Sequence, residues 1–258
     1  MRSDWFVEAR SSARARLFCF PYAGGGSGVF REWSAPLHDL VRVVALRPPG
    51  RESRFAEAPV PDVGMLADQI VAALTPFVTE MPFAFFGHSL GGLVAFEVAR
   101  RLEKRGLAAP RALVISGCAA PTRRGERDVA RLPREEFLAK VRSMAGTPPE
   151  VFDHPELVSL LLPMLRADFL AAEDYTRSDG PPLDTPLFVY GGLADEDVSV
   201  DALEAWRPES SAEVALRRFR GGHFFIQSER DSVLAALRGD LAPYLRGSVD
   251  GSTRRPGE

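Results

Sequence analysis

Lysine is almost missing from this sequence. It stands only at Lys104 and Lys140, so arginine supplies the other thirty of the 32 basic residues. Set against 35 acidic residues, these leave a net charge of −3, and no basic field marks the chain for nucleic acid. Cysteine is as scarce. Cys19 and Cys118 each lie in or beside an apolar, strand-like run, which suits two buried free thiols in a reducing cytoplasm better than a disulfide. No run approaches 18 apolar residues, so neither a transmembrane helix nor a membrane partner is expected. The opening stretch holds Asp4 and Glu8 and no apolar h-region. That argues against a secretory signal and, through the acids, against a transit peptide. No grouping of His, Cys and carboxylates stands at metal-ligand spacing, and no metal or cofactor is expected.

What is there suits one α/β domain. The 258 residues are 45% apolar and 26% charged, enough for a core of normal size. Short apolar runs read as strands at residues 17–22, 41–46, 83–86, 112–116, 187–190 and 214–219. Helical spacing fills 63–78, where Leu66, Ile70, Ala73, Leu74 and Phe77 share a face. It returns at 90–105, stopped by Gly106, and at about 228–245. This alternation predicts a mostly parallel sheet with helices on both faces.

The rhythm breaks between Ala119 and Pro186. Residues 132–144 and 156–175 read as helical, with Pro163 kinking or splitting the second segment. Leu157, Leu160, Leu161, Met164, Leu165, Phe169 and Leu170 exceed what one small helix buries. A helical lid over 119–180 is therefore favoured over a long crossover, inserted into a core of 1–118 and 181–246. The tail, 247–258, is Gly, Ser and charge and is expected to be disordered.

The sharpest motif is Gly87-His88-Ser89-Leu90-Gly91-Gly92 between a strand and a helix. Gly-x-Ser-x-Gly in that setting is a nucleophile elbow, with the serine on a strained turn and the glycines relieving clashes. Its plain alternative is a chance Gly-rich turn, which the strand before and the helix after disfavour. A serine hydroxyl needs a base. In the order Ser, acid, His, the chain offers His223 in Gly221-Gly222-His223-Phe224-Phe225, after the last strand and before the last helix. His38 and His88 precede or adjoin the serine, and His154 falls in the lid. Asp195 and Asp197 compete for the acid in the loop after residue 190. Asp195 is preferred because it stands just past the strand end. A tetrahedral intermediate also needs two N–H donors. Leu90, directly after the nucleophile, is one. Ala23, in the loop Phe20-Pro21-Tyr22-Ala23-Gly24-Gly25-Gly26, is the other. A phosphate-cradle reading of that loop fails, because neither Gly-x-Gly-x-x-Gly nor a following Gly-Lys-Ser/Thr is matched.

Together these stretches resemble the type II, or editing, thioesterases of polyketide and nonribosomal peptide synthases. The matching segments are Phe20-Pro-Tyr-Ala-Gly-Gly25, Pro49-Gly-Arg-Glu52, Gly87 to Gly92, Leu162-Pro-Met-Leu-Arg-Ala-Asp168, Gly191-Gly192 with Asp195, and Gly222-His-Phe-Phe225. Two departures stand out: Tyr22 where the family often has His, and Leu90 where it often has Met. Neither side chain is needed for an N–H donor. The resemblance implies an α/β-hydrolase fold with a helical lid. It also implies hydrolysis of acyl thioesters from the phosphopantetheine arm of a carrier protein, clearing stalled or misprimed groups.

In this reading Ser89, Asp195 and His223 are catalytic, and the enzyme works as a monomer. Leu161, Met164, Leu165 and Phe169 are the lid residues expected to line the acyl pocket. Arg47, Arg51, Arg123 and Arg124 are candidates for docking an acidic carrier. A small-molecule carboxylesterase would share every catalytic residue and is the alternative. A catalytically silent hydrolase-fold binding protein is disfavoured by the intact serine, acid and histidine.

Overall fold

The protein is described here by a computed structural model. It covers residues 3–245 apart from 124, 126, 127, 145, 147 and 148. The expected tail, 247–258, and Arg124 lie outside the described residues.

Seven strands form one sheet: β1 (Phe6–Glu8), β2 (Arg16–Phe20), β3 (Arg42–Leu46), β4 (Phe83–His88), β5 (Leu113–Ser116), β6 (Leu187–Gly192) and β7 (Val214–Phe219). Their order is β1-β3-β2-β4-β5-β6-β7. All neighbours are parallel except β1, which pairs antiparallel with β3 through Phe6↔Leu46. β1 was not legible in the sequence, because three residues are too short to show a period. Strands β2, β4, β5 and β6 are buried along their whole length, and both faces are covered. That is why they read as continuous apolar runs rather than alternating ones.

The pleat still sorts side chains. Phe18, Phe20 and Phe85 enter one core, and Leu17, Cys19 and Phe86 enter the other. The first core packs against α2 (Val63–Leu74), whose N-cap Asp62 accepts from the Met65 N–H at 2.6 Å, and α3 (Leu90–Lys104). The second packs beneath a short α1 (Ser34–Leu37) and the C-terminal helix. Strand β7 closes the far edge. Its half-exposed surface carries Arg217 and Arg218, charges that discourage pairing with another chain.

Between β5 and β6 the chain forms α4 (Arg134–Ser143) and α5 (Pro155–Glu173). Pro163 lies inside α5, which continues as one 19-residue helix and is not split. Phe137, Val141, Met164 and Leu165 form a core of their own, separate from the two sheet cores. After β6 come α6 (Val200–Glu204), then, beyond β7, α7 (Phe225–Ser228) and α8 (Arg230–Leu245).

The topology locates the crevice. Chain order runs from β2 outward to β3, then returns to β4 on the other side and proceeds to β7. The direction reverses beside β2 and β4, and such a switch opens a crevice at the carboxyl ends of the strands. The loop bearing Ala23 leaves β2 there, and Ser89 leaves β4.

Candidate active site

Ser89 sits between β4 and α3 with φ 53° and ψ −118°. A non-glycine residue at positive φ is strained, and the surrounding structure must hold it. Part of that hold is the Ser89 N–H, which donates to the Ser116 carbonyl of β5 at 2.8 Å. The two flanking glycines explain the rest. A Cβ on Gly87 would lie 2.1 Å from the Gly91 carbonyl oxygen, and one on Gly91 would lie 2.1 Å from that of Phe20. Only hydrogen allows helix and strands to approach so closely.

His223 and Asp195 come from the ends of β7 and β6. The His223 Nδ1 lies 2.9 Å from Asp195 Oδ2. The other carboxylate oxygen accepts the backbone N–H groups of Asp197 (2.9 Å) and Val198 (3.2 Å). Asp195 is thus anchored from one side and presents its second oxygen to the imidazole. Asp197 shares the loop, but it is Asp195 that the fold joins to His223. Asp195, Asp197 and His223 also form a group of potential metal ligands within 4.8 Å, which sequence spacing did not reveal. The engagement of both Asp195 oxygens with N–H donors is the arrangement of a hydrogen-bonded acid–base pair.

Ser89 and His223 line one cavity of about 280 Å³, together with Tyr22, Ala23 and Leu90. Among the described residues the N–H groups of Ala23 and Leu90 find no acceptor within the protein. Leu90 opens α3, so its N–H belongs to the unsatisfied first turn and carries the positive end of the helix dipole.

His88 packs beside His223 but does not line the cavity. It is fully buried, its Nδ1 is 3.0 Å from Ser116 Oγ, and its Nε2 has no partner among the described residues. Burial holds this imidazole well below its ordinary value of 6.5. Charge on His223 pushes the same way, against a smaller opposing effect of the His223 backbone. His88 is therefore a neutral spacer, packed against Tyr22 and His223 at ring-centroid distances of 5.9 and 5.2 Å. His38 and His154 are exposed on other parts of the surface.

The sequence matches the thioesterase domain family over residues 15–241. The chain belongs to the thioesterase family. It is 40% identical over 252 residues to the linear gramicidin dehydrogenase LgrE of Brevibacillus parabrevis, covering 95% of each chain. It is 37% identical over 254 residues to the thioesterase PikA5 of Streptomyces venezuelae, covering 97% of this chain and 89% of that one. Among solved structures, the type II thioesterase BorB from the borrelidin biosynthetic cluster aligns with a TM-score of 0.83 at 34% identity. The alignment covers 95% of this chain and 98% of BorB. The mostly parallel sheet expected from the strand–helix alternation, and the α/β-hydrolase fold implied by the resemblance, are the fold of this thioesterase.

Several side chains of the thioesterase stand elsewhere than the sequence suggested. Of the four residues expected to line the acyl pocket, Leu165 and Phe169 line the cavity, whereas Leu161 and Met164 only pack with them in the separate core of α4 and α5. On a helix, residues 161, 164, 165 and 169 share one broad face, and the side of it that carries Leu165 and Phe169 borders the cavity. The cavity wall also includes Val129, Val141, Met144 and Ala172, which sequence reading did not single out. Arg51 is not a docking group. It is 7% exposed and pairs with Asp168. Arg47 is tied to Glu52 at 3.0 Å, whereas Arg123 borders the cavity. Cys19 and Cys118 are free and buried. No described helix is long and apolar enough to cross a membrane.

Proposed function

We propose that this thioesterase hydrolyses acyl groups from the phosphopantetheine arm of carrier proteins, clearing stalled or misprimed chains during polyketide or nonribosomal peptide synthesis. The observation that carries the reading is the placement of Ser89, strained at the elbow, in one cavity with a His223 whose Nδ1 is held by Asp195. His223 Nε2 takes the Ser89 proton as Oγ bonds to the thioester carbonyl carbon. The N–H groups of Ala23 and Leu90 receive the oxyanion. The C–S bond then breaks, and the departing sulfur takes the proton from the imidazolium. Water next loses a proton to His223 and attacks the acyl-enzyme. The Oγ–acyl bond breaks, Ser89 Oγ recovers a proton from His223, and the product leaves as the carboxylic acid, which ionises in solvent. Asp195 fixes the tautomer and stabilises the imidazolium throughout.

Residues 119–180 serve in this proposal as a lid, with Leu165 and Phe169 as part of the acyl wall. Exclusion of water by such a cover strengthens the electrostatic stabilisation beneath it. In this proposal the enzyme acts as a monomer. The two free buried thiols fit the cytoplasm, where the synthase and its carriers would be met. Arg123, which lines the cavity, would dock an acidic carrier in this proposal. The dehydrogenase in one relative's name has no support in this chain's motifs, since the loop after β2 lacks Gly-x-Gly-x-x-Gly.

The test is hydrolysis of a panel of acyl-loaded carrier proteins by wild type and Ser89→Ala, with simple esters as controls. Release of acid from carriers that stops in Ser89→Ala is the expected result. A preference for simple esters over every carrier would instead make the protein a carboxylesterase.

A further inference from the structure

The loop that carries Ala23 includes three consecutive glycines, Gly24 to Gly26, and belongs to neither helix nor strand. Left alone, such a backbone has no reason to hold an N–H in one direction. In this fold nearly every peptide of the loop is pinned. The Tyr22 carbonyl accepts the Gly25 N–H at 2.9 Å. Because the peptide unit is planar and trans, this directs the Ala23 N–H, on the same unit, the opposite way. The next peptide is held by a side chain: the Gly24 N–H donates to Asp168 Oδ2 at 2.7 Å. The Gly25 carbonyl is held by another, accepting from Arg51 Nη1 at 2.6 Å.

Arg51 and Asp168 are also bound to each other. Their guanidinium and carboxylate meet through two bonds, 2.9 and 2.8 Å, with both side chains buried. Arg51 lies in the turn after β3 and Asp168 on α5, so the pair bridges core and lid, 117 residues apart in sequence. Neither lines the cavity. A buried ion pair is weak evidence for stability, since desolvation offsets its attraction. Its geometry here speaks for orientation instead, because each partner also bonds the backbone of the glycine loop, while Arg51 Nε holds the Pro49 carbonyl. Gly24 adds a steric reason. It adopts φ +79°, and a Cβ there would lie 2.7 Å from the Leu165 side chain of α5. Loop and lid helix are fitted to one another.

We propose that Arg51 and Asp168 are positioning residues that aim the Ala23 N–H at the oxyanion, so that this donor is in place only when α5 is seated on the core. The lid then does more than cover the substrate. Its docking completes the group that stabilises the transition state. This inference rests on the reading of Ala23 as an oxyanion donor in a Ser89-dependent hydrolase.

The test compares wild type, Asp168→Asn, Arg51→Lys and Ser89→Ala on an acyl-pantetheine thioester, with folded protein quantified by circular dichroism. Losing a donor altogether costs about 10²–10³ in kcat. Misaiming one is expected to lower kcat by about 10–100-fold in Asp168→Asn, and by a smaller factor in Arg51→Lys, with KM within about threefold. The midpoint of the pH–rate profile stays where it is, because His223 and Asp195 are untouched. Folded variants with wild-type kcat, or with a raised KM alone, overturn the inference. Should Asp168→Asn not fold, Arg51→Lys, which keeps the buried charge, decides by the same criteria. Activity surviving in Ser89→Ala would instead overturn the underlying reading. A dead Ser89→Ala beside a fully active Asp168→Asn removes the positioning role alone.

Discussion

His223 Nδ1 and Asp195 Oδ2 stand 2.9 Å apart, and the carboxylate side chain is completely buried while the imidazole remains 19% exposed. The acid is thus held inside, and the base reaches out into the cavity. A proton on Nδ1 leaves the lone pair of Nε2 for Ser89. In Asp195→Asn the amide can present its N–H₂ to Nδ1 and favour the opposite tautomer. The expected result is a loss of about 10⁴ in kcat with the fold intact. Asp197→Asn is expected to change kcat by less than about tenfold, since its side chain does not orient the base. Steady-state kinetics on one acyl thioester check both, and equal losses would remove Asp195 from its assigned role.

The elbow glycines set a second expectation. A methyl at Gly87 or Gly91 would sit 2.1 Å from a backbone oxygen, which no rotamer can relieve. Gly87→Ala and Gly91→Ala are each expected to cost about 3 kcal/mol or more. Urea unfolding measures this, and a midpoint within error of wild type would contradict the packing argument.

Helix α5 offers a contrast between neighbours. Both pack in the separate core of α4 and α5, but Phe169 lines the cavity and Met164 does not. Phe169→Ala should enlarge the acyl wall and shift relative kcat/KM toward longer chains. Met164→Ala should leave the chain-length ranking alone and lower stability by about 2–5 kcal/mol. A graded series of acyl-pantetheine thioesters, read beside thermal unfolding, separates the two effects. A shift in ranking from Met164→Ala would contradict the assignment.

His88 predicts a pH dependence of stability. Its folded-state pKa lies well below 6.5 because the ring is buried. Above pH 6.5 the ring is neutral in both states and contributes no slope. As pH falls below that value, the unfolded chain binds a proton that the folded chain refuses. Stability drops by up to about 1.4 kcal/mol per pH unit from this one group. In His88→Gln that contribution vanishes. Unfolding free energies between pH 5 and 8 check the difference, and an identical slope in the variant would refute it.

Much of this could be read from the chain alone. The Gly87 to Gly92 elbow, the position of His223 after the last strand and the parallel sheet are local facts of spacing and order. They depend on periodicity and on backbone conformations that only certain residues tolerate. Even the ambiguity between Asp195 and Asp197 was already confined to one loop. Tertiary structure decided which carboxylate meets the imidazole, because both stand two residues apart and only the closed fold measures their distance from β7.

It also decided the fate of Arg51. As sequence, an arginine in a Pro-Gly-Arg-Glu turn looks like surface charge. In the fold it is buried against Asp168, because a partner 117 residues away and a glycine loop from a third segment arrive at the same point. Composition and spacing carry no information on such a meeting. The same holds for α5, where helical periodicity marked Leu161, Met164, Leu165 and Phe169 as apolar but not which of them line the cavity. That is fixed by how α5 seats on the core, and the Arg51–Asp168 pair is part of the seat.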